Sequence, residues 1–149
     1  QAQRYHEWQK LPPLHSYSSY QTQEQESGPR GDTIVGTTLI PHVIIDFIRE
    51  EGAAAENLLE GSGAELVYLR FLSANLPEGQ EADARGNLED AIDDALRESS
   101  SGRTLGGAYG VQQSYIDLIL LDGENSRSIV RNVVDTLQLK GDVAIENLW

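Results

Sequence analysis

With 149 residues and a mass of 16.4 kDa the chain suits one domain with its own buried core, and 39% hydrophobic with 23% charged residues is a globular composition rather than a disordered or fibrous one. The absence of cysteine excludes disulfides, thiolate chemistry, iron–sulfur clusters and cysteine-ligated zinc. Net charge is −13, concentrated as −10 over residues 34–99 against −1 over 1–33 and −2 over 100–149; such a field repels phosphate backbones and anionic lipid, so it argues against nucleic-acid and membrane partners and for a basic one.

Methionine is absent, even at position 1, which reads as a processed or trimmed chain. Gln1–Lys10 is polar where a signal peptide would be apolar, and no run approaches the roughly 18 apolar residues of a membrane span. A soluble protein is the expectation, with the cytoplasm favoured.

Residues 1–33 are rich in Gln, Ser, Pro and Tyr and close on Ser27-Gly28-Pro29-Arg30-Gly31-Asp32, which reads as an irregular arm. Tyr5, Trp8, Leu11, Leu14, Tyr17 and Tyr20 recur about every three residues, a spacing that lets the arm lay rings on a neighbouring surface. Residues 34–149 are expected to form a single α+β domain. Thr37 and Thr38 offer N-caps, Pro41 suits a first helical turn, and Val43, Ile44, Phe47 and Ile48 share a stripe with Ala55, Leu58 and Leu59, so an extra helix is predicted over 41–60. Ala64–Ser73 predicts a strand apolar on both faces. Next comes a helix over 82–99, whose Leu88, Ala91, Ile92, Ala95 and Leu96 keep helical spacing.

Arg103–Gly110 and Ser114–Leu121 predict a hairpin around Val111-Gln112-Gln113, and in its second strand Ile116, Leu118 and Leu120 oppose Tyr115, Asp117, Ile119 and Leu121. A third helix over 126–139 carries Ile129, Val130, Val133, Val134 and Leu137, and Val143–Leu148 is the last strand. From residue 64 the order is strand, helix, strand, strand, helix, strand, the ferredoxin-like split βαβ arrangement, in which the two doubly apolar strands are central. Its helices cover one sheet face; the other is too apolar to stay wet and needs either the extra helix with its arm or a second copy of the chain, a homodimer through the open sheet face.

His6, His15 and His42 show no metal-ligand spacing, no Gly-x-Ser-x-Gly elbow exists, and no calcium loop is present, so neither a metal, a cofactor nor a catalytic constellation is expected. Four glycines between Gly102 and Gly110 enter a strand rather than open a helix, which points to a bulge or a close backbone approach, or to a binding edge using Arg103 and Tyr109. Asp117 in a central strand needs a partner, and Arg70 on the other central strand is the expected one. Arg30-Gly31-Asp32 is a weak integrin-type match that would matter only if exposed.

Three functional readings follow as expectations. The first is a non-enzymatic acidic binding protein, such as a toxin-neutralising immunity protein or a protein inhibitor, docking a basic partner through Glu89, Asp90, Asp93, Asp94 and Glu98. The alternative is a small-molecule-binding regulatory domain with a pocket of Tyr68, Arg70, Arg103, Tyr109, Tyr115 and Asp117; a metal-independent enzyme built on Asp117 is a third.

Overall fold

The structure, a computed structural model, describes residues 17–22, 26, 28–49, 59–139 and 141–148. Along the chain run β1 (Ser18–Gln21), β2 (Thr33–Thr38), α1 (Pro41–Arg49), β3 (Glu65–Leu72), a 3-10 turn (Ser73–Asn75), α2 (Glu81–Glu98), β4 (Gly102–Gly110), β5 (Gln113–Leu120), α3 (Gly123–Thr136) and β6 (Val143–Asn147). The six strands form one sheet in the order β1-β2-β4-β5-β3-β6, every neighbouring pair antiparallel. The fold is α+β, with three helices among the described residues. None of these helices is long and apolar enough to cross a membrane.

β3 and β5 lie side by side in the interior of the sheet, as two strands apolar on both faces should. Val67, Leu69 and Phe71 of β3 and Ile116, Leu118 and Leu120 of β5 pack with Leu88, Ile92 and Leu96 of α2 and Val130 and Val134 of α3. Alternate residues, Leu66, Tyr68, Tyr115 and Ile119, pack with Leu39, Ile40 and with Ile44, Phe47 and Ile48 of α1. The sheet is therefore sandwiched between α1 on one face and α2 with α3 on the other. Of the two covers expected for that face, the extra helix or a second copy of the chain, the structure shows the first: α1 buries it within the chain, because Ile44, Phe47 and Ile48 recur at the three- and four-residue steps that keep one helix face apolar.

Other differences have local causes. The first predicted helix is described as far as Arg49; Leu59–Gly63 forms turns rather than helix, and the expected stripe residues Ala55 and Leu58 lie outside the described residues. α3 starts three residues early, at Gly123, and Ser126 is used inside it: its hydroxyl accepts from the Asp122 amide at 2.9 Å and donates to the Ser101 carbonyl at 2.9 Å. The same helix stops at Thr136, because Gln138 adopts a left-handed φ of 56° and the Leu139 amide turns back to the Val134 carbonyl.

The largest correction concerns residues 17–33, expected to be irregular. Ser18–Gln21 is a strand, Thr33–Thr38 another, and together they extend the sheet beyond β4. Of the expected aromatic contacts, Tyr17 is exposed and Tyr20 is buried, whereas Tyr5, Trp8, Leu11 and Leu14 lie outside the described residues.

Candidate functional site

Across the α1 side of the sheet one lateral row reads Tyr20, Gly36, Ala108, Tyr115, Arg70, and the next reads Gly106, Asp117, Tyr68, Glu146. Small residues thus stand between large ones, and the space above them is filled from the side. A Cβ on Gly36 would overlap the Tyr20 ring, so glycine there is what lets the ring lie flat over β2.

Into this trough reaches Arg30, from the turn joining β1 to β2. That turn is closed by Glu26 N–H to the Gly31 carbonyl at 2.9 Å and Gly31 N–H to the Gly28 carbonyl at 3.1 Å, and Arg30 itself holds a left-handed φ of 63°. Its guanidinium donates through Nη1 to Asp117 Oδ1 and through Nη2 to the Tyr20 hydroxyl at 3.4 Å. The guanidinium carbon lies 4.9 Å from the Tyr68 ring centre and 4.7 Å from that of Tyr115, within cation–π range of both. Tyr68 in turn meets Tyr115 and Phe47 edge to face, each at 5.8 Å.

The side chains of Arg30 and Asp117 are both fully enclosed. Burial acts to discharge the guanidinium, but the Asp117 carboxylate and Tyr20 outweigh it and hold the Arg30 pKa above its ordinary value. Burial raises the Tyr20, Tyr68 and Tyr115 pKa values, and the hydrogen bond that Tyr115 donates to Asp32 raises its own further. All three phenols therefore stay neutral at physiological pH and serve as ring faces and hydroxyl donors. Arg30 Nε and Asp117 Oδ2 are buried without a hydrogen-bond partner, so the pair is only partly satisfied.

Arg30-Gly31-Asp32 is thus an internal latch. Asp32 Oδ2 accepts from the Gln112 and Gln113 amides, each at 3.0 Å, and Oδ1 accepts from the Tyr115 hydroxyl, so this carboxylate holds the β4–β5 turn while Arg30 holds the strand beneath it. A Cβ on Gly110 would overlap the same carboxylate, which explains one glycine of the cluster; a bulge between Thr104 and Gly106 explains another.

The structure brings together Tyr68, Arg70, Tyr115 and Asp117 of the expected pocket, but with a different pairing. Asp117 pairs with Arg30, not Arg70, because a single residue from the β1–β2 turn fills the space over the glycines. Arg70 instead bonds Glu146 at 3.1 Å and Gln113 at 3.0 Å beside a shallow polar cleft of about 470 Å³. Tyr109 is on the opposite sheet face, where the Arg85 guanidinium lies 4.2 Å from its ring. Arg103 donates to the Thr104 carbonyl at 3.0 Å, and neither residue lines the cleft.

The five acidic residues of α2 expected to meet a partner divide in two. Glu89 is half-buried beside Arg85, at 3.3 Å; its burial raises its pKa, against the pull of Arg85. Asp93 is also drawn inward: burial acts to raise its pKa, but hydrogen bonds from the Thr104 amide at 2.9 Å, the Thr104 hydroxyl at 3.1 Å and Arg97 at 2.8 Å bring it below the ordinary value. Asp90, Asp94 and Glu98 are exposed, and so is Asp83 two turns earlier. Since Arg85 and Arg97, the helix's two cations, are occupied by Glu89 and Asp93, the exposed stripe is uncompensated by its own helix.

Sequence reasoning missed Arg30 and Asp32 as structural anchors. A signal for the strand that follows them was present, since Thr33-Ile34-Val35-Gly36-Thr37-Thr38 is β-branched in all but one position. Among the described residues no group of three or more His, Asp or Glu side chains is placed to hold a metal ion. Comparison of the chain with known protein families, with curated proteins and with solved structures finds no match to any of them.

Proposed function

We propose that the protein is a non-enzymatic binding module that docks a basic protein partner through the exposed acidic stripe of α2, in the manner of an immunity protein or protein inhibitor. The observation that carries this reading is the division within α2: Asp83, Asp90, Asp94 and Glu98 face solvent while both helix cations are engaged elsewhere. Exposed charge of one sign steers association and sets its salt dependence. The reading of β3 to β6 as a ferredoxin-like unit, extended at one edge by β1 and β2, belongs with it; chain order and the adjacency of β6, β3, β5 and β4 support that reading.

The enclosure of Asp117 weighs against the enzyme and small-molecule readings. Its side chain is fully enclosed and paired with Arg30, whose guanidinium is in turn flanked by Tyr20, Tyr68 and Tyr115, so no substrate atom reaches it without withdrawal of the β1–β2 turn. The test compares the intact chain with its Asp90→Lys/Asp94→Lys/Glu98→Lys variant, each immobilised and exposed to lysate at low and high salt. A basic protein retained by the first and lost by the second, and released by salt, is the expected result. Equal retention by both would overturn the proposal.

A further inference from the structure

Between α2 and α3 the outer layer is not closed. One cleft of about 540 Å³ is lined by Leu76, Ala84 and Leu88, and another of about 300 Å³ by Ala91, Ala95 and Val133; Leu137 lines both. Ala84, Leu88, Ala91 and Ala95 follow one another at three- and four-residue steps, so the clefts are parts of one furrow along α2, about 16 Å or three helical turns long. Leu76 and Leu88 are buried and make its floor, whereas Leu137 is 47% exposed at its rim. Alanines on the α2 wall keep the furrow open, and no charged residue lines either cleft.

The acidic stripe runs beside this furrow. Asp94 and Glu98 follow Ala91 and Ala95 by three residues, which makes them neighbours on the helix surface, and Asp90 stands three residues after the lining Asn87. An apolar channel bordered on its solvent side by uncompensated carboxylates has the charge complement of an amphipathic helix, with aliphatic side chains on one face and Lys or Arg on the next. Antiparallel helices that leave a furrow also present the ridges into which a third helix packs.

Resting on the docking function proposed above, we infer that the α2–α3 furrow is the seat of the partner and that the partner presents a basic amphipathic helix to it. Leu137 is the residue on which such a helix closes, and the acidic stripe takes up its cationic flank.

The probe is a synthetic peptide of about 14 residues, enough to hold a helix once bound, with leucines at i, i+3, i+4 and i+7 and lysines elsewhere. A scrambled peptide of the same composition is its control. Titrated against the full chain by amide NMR, the amphipathic peptide is expected to shift Ala91, Ala95, Val133 and Leu137. The scrambled peptide, and the amphipathic peptide on Leu137→Asp, are expected to bind at least about tenfold more weakly. Leu137 is exposed enough for this substitution to leave the core intact, which a thermal melt checks.

Equal binding of the two peptides, lost only in the Asp90/Asp94/Glu98→Lys variant, would overturn the furrow and leave the acidic docking function standing. Selective binding that survives that charge reversal would overturn the docking function and the charge complementarity together. A homodimer in sedimentation that Leu137→Asp dissociates would show a second copy in the furrow and overturn the helix assignment.

Discussion

The two faces of the sheet are built on different principles. On the α2–α3 side the buried hydrophobic side chains of the sheet are Val67, Leu69, Phe71, Ile116, Leu118 and Leu120, and cohesion there is chiefly apolar burial. On the α1 side aliphatic packing surrounds a buried ion pair, three tyrosines and a phenylalanine. Apolar packing tolerates exchange of like for like, at a cost proportional to the volume lost. A buried ion pair does not tolerate loss of one partner, although replacing both is often nearly neutral. The α1 side thereby gains a defined position for the β1–β2 turn, since Arg30 of that turn is the residue that pairs with Asp117.

The largest effect expected is from breaking the pair. Arg30→Met strands the Asp117 carboxylate and should cost about 3–5 kcal/mol in urea denaturation, whereas Arg30→Met with Asp117→Leu should recover most of that loss. If the single and double variants were equally unstable, Asp117 would not be held as a buried charge. Next in size, Ile92→Ala on the other face should cost about 3 kcal/mol through a cavity among aliphatic neighbours, with no second substitution that is specifically restorative. A matching rescue there would erase the contrast between the faces.

Smaller effects sharpen the same distinction within α2. The folded pKa of Asp93 lies below its ordinary value of 3.8, so its ionised form supports the fold above that pH, and the support is lost as pH falls through the folded value. Glu89 has the opposite sign: its pKa is raised above 4.5, so its contribution is fully present below 4.5 and is lost as pH rises through the folded value. Asp93→Asn should therefore lower the urea midpoint at pH 7 and make little difference at pH 2. Glu89→Gln should flatten the opposite trend, and identical pH profiles for the two variants would contradict the inward and partnered placement of Asp93. The smallest change is expected for Asp94→Lys. It removes like charges four residues from Asp90 and Glu98 and should alter stability by no more than about 0.5 kcal/mol, in the stabilising direction, even though the same residue is expected to matter for docking.

How far the sequence could be read followed the range of the forces involved. β3 to β6 and the two helices between them were legible within a few residues, because apolar periodicity reports directly which side of an element is buried. β1 was not legible, since Ser18-Ser19-Tyr20-Gln21 has no strand pattern and is held by its ladder with β2. β2 had strand composition, but its threonines also suited helix caps, and Thr38 does accept the Ile40 amide at 2.9 Å. Asp117 was recognised as a buried carboxylate needing a partner, and Tyr68 and Tyr115 only as residues of a possible pocket beside it. The cation was misassigned because Arg70 and Arg30 are equivalent in composition and differ only in where the chain returns.

By itself, the amino-acid sequence determined an acidic α+β protein with two doubly buried strands, a buried carboxylate in one of them, and an acidic α2, because these are consequences of local period, composition and charge. Only the tertiary structure decided that Arg30 completes Asp117, that α1 closes the sheet face, and that Asp90, Asp94 and Glu98 face water while Glu89 and Asp93 turn inward. Those outcomes depend on contacts between residues as much as 87 positions apart, and no local pattern encodes which of several chemically equivalent side chains arrives first in a shared space.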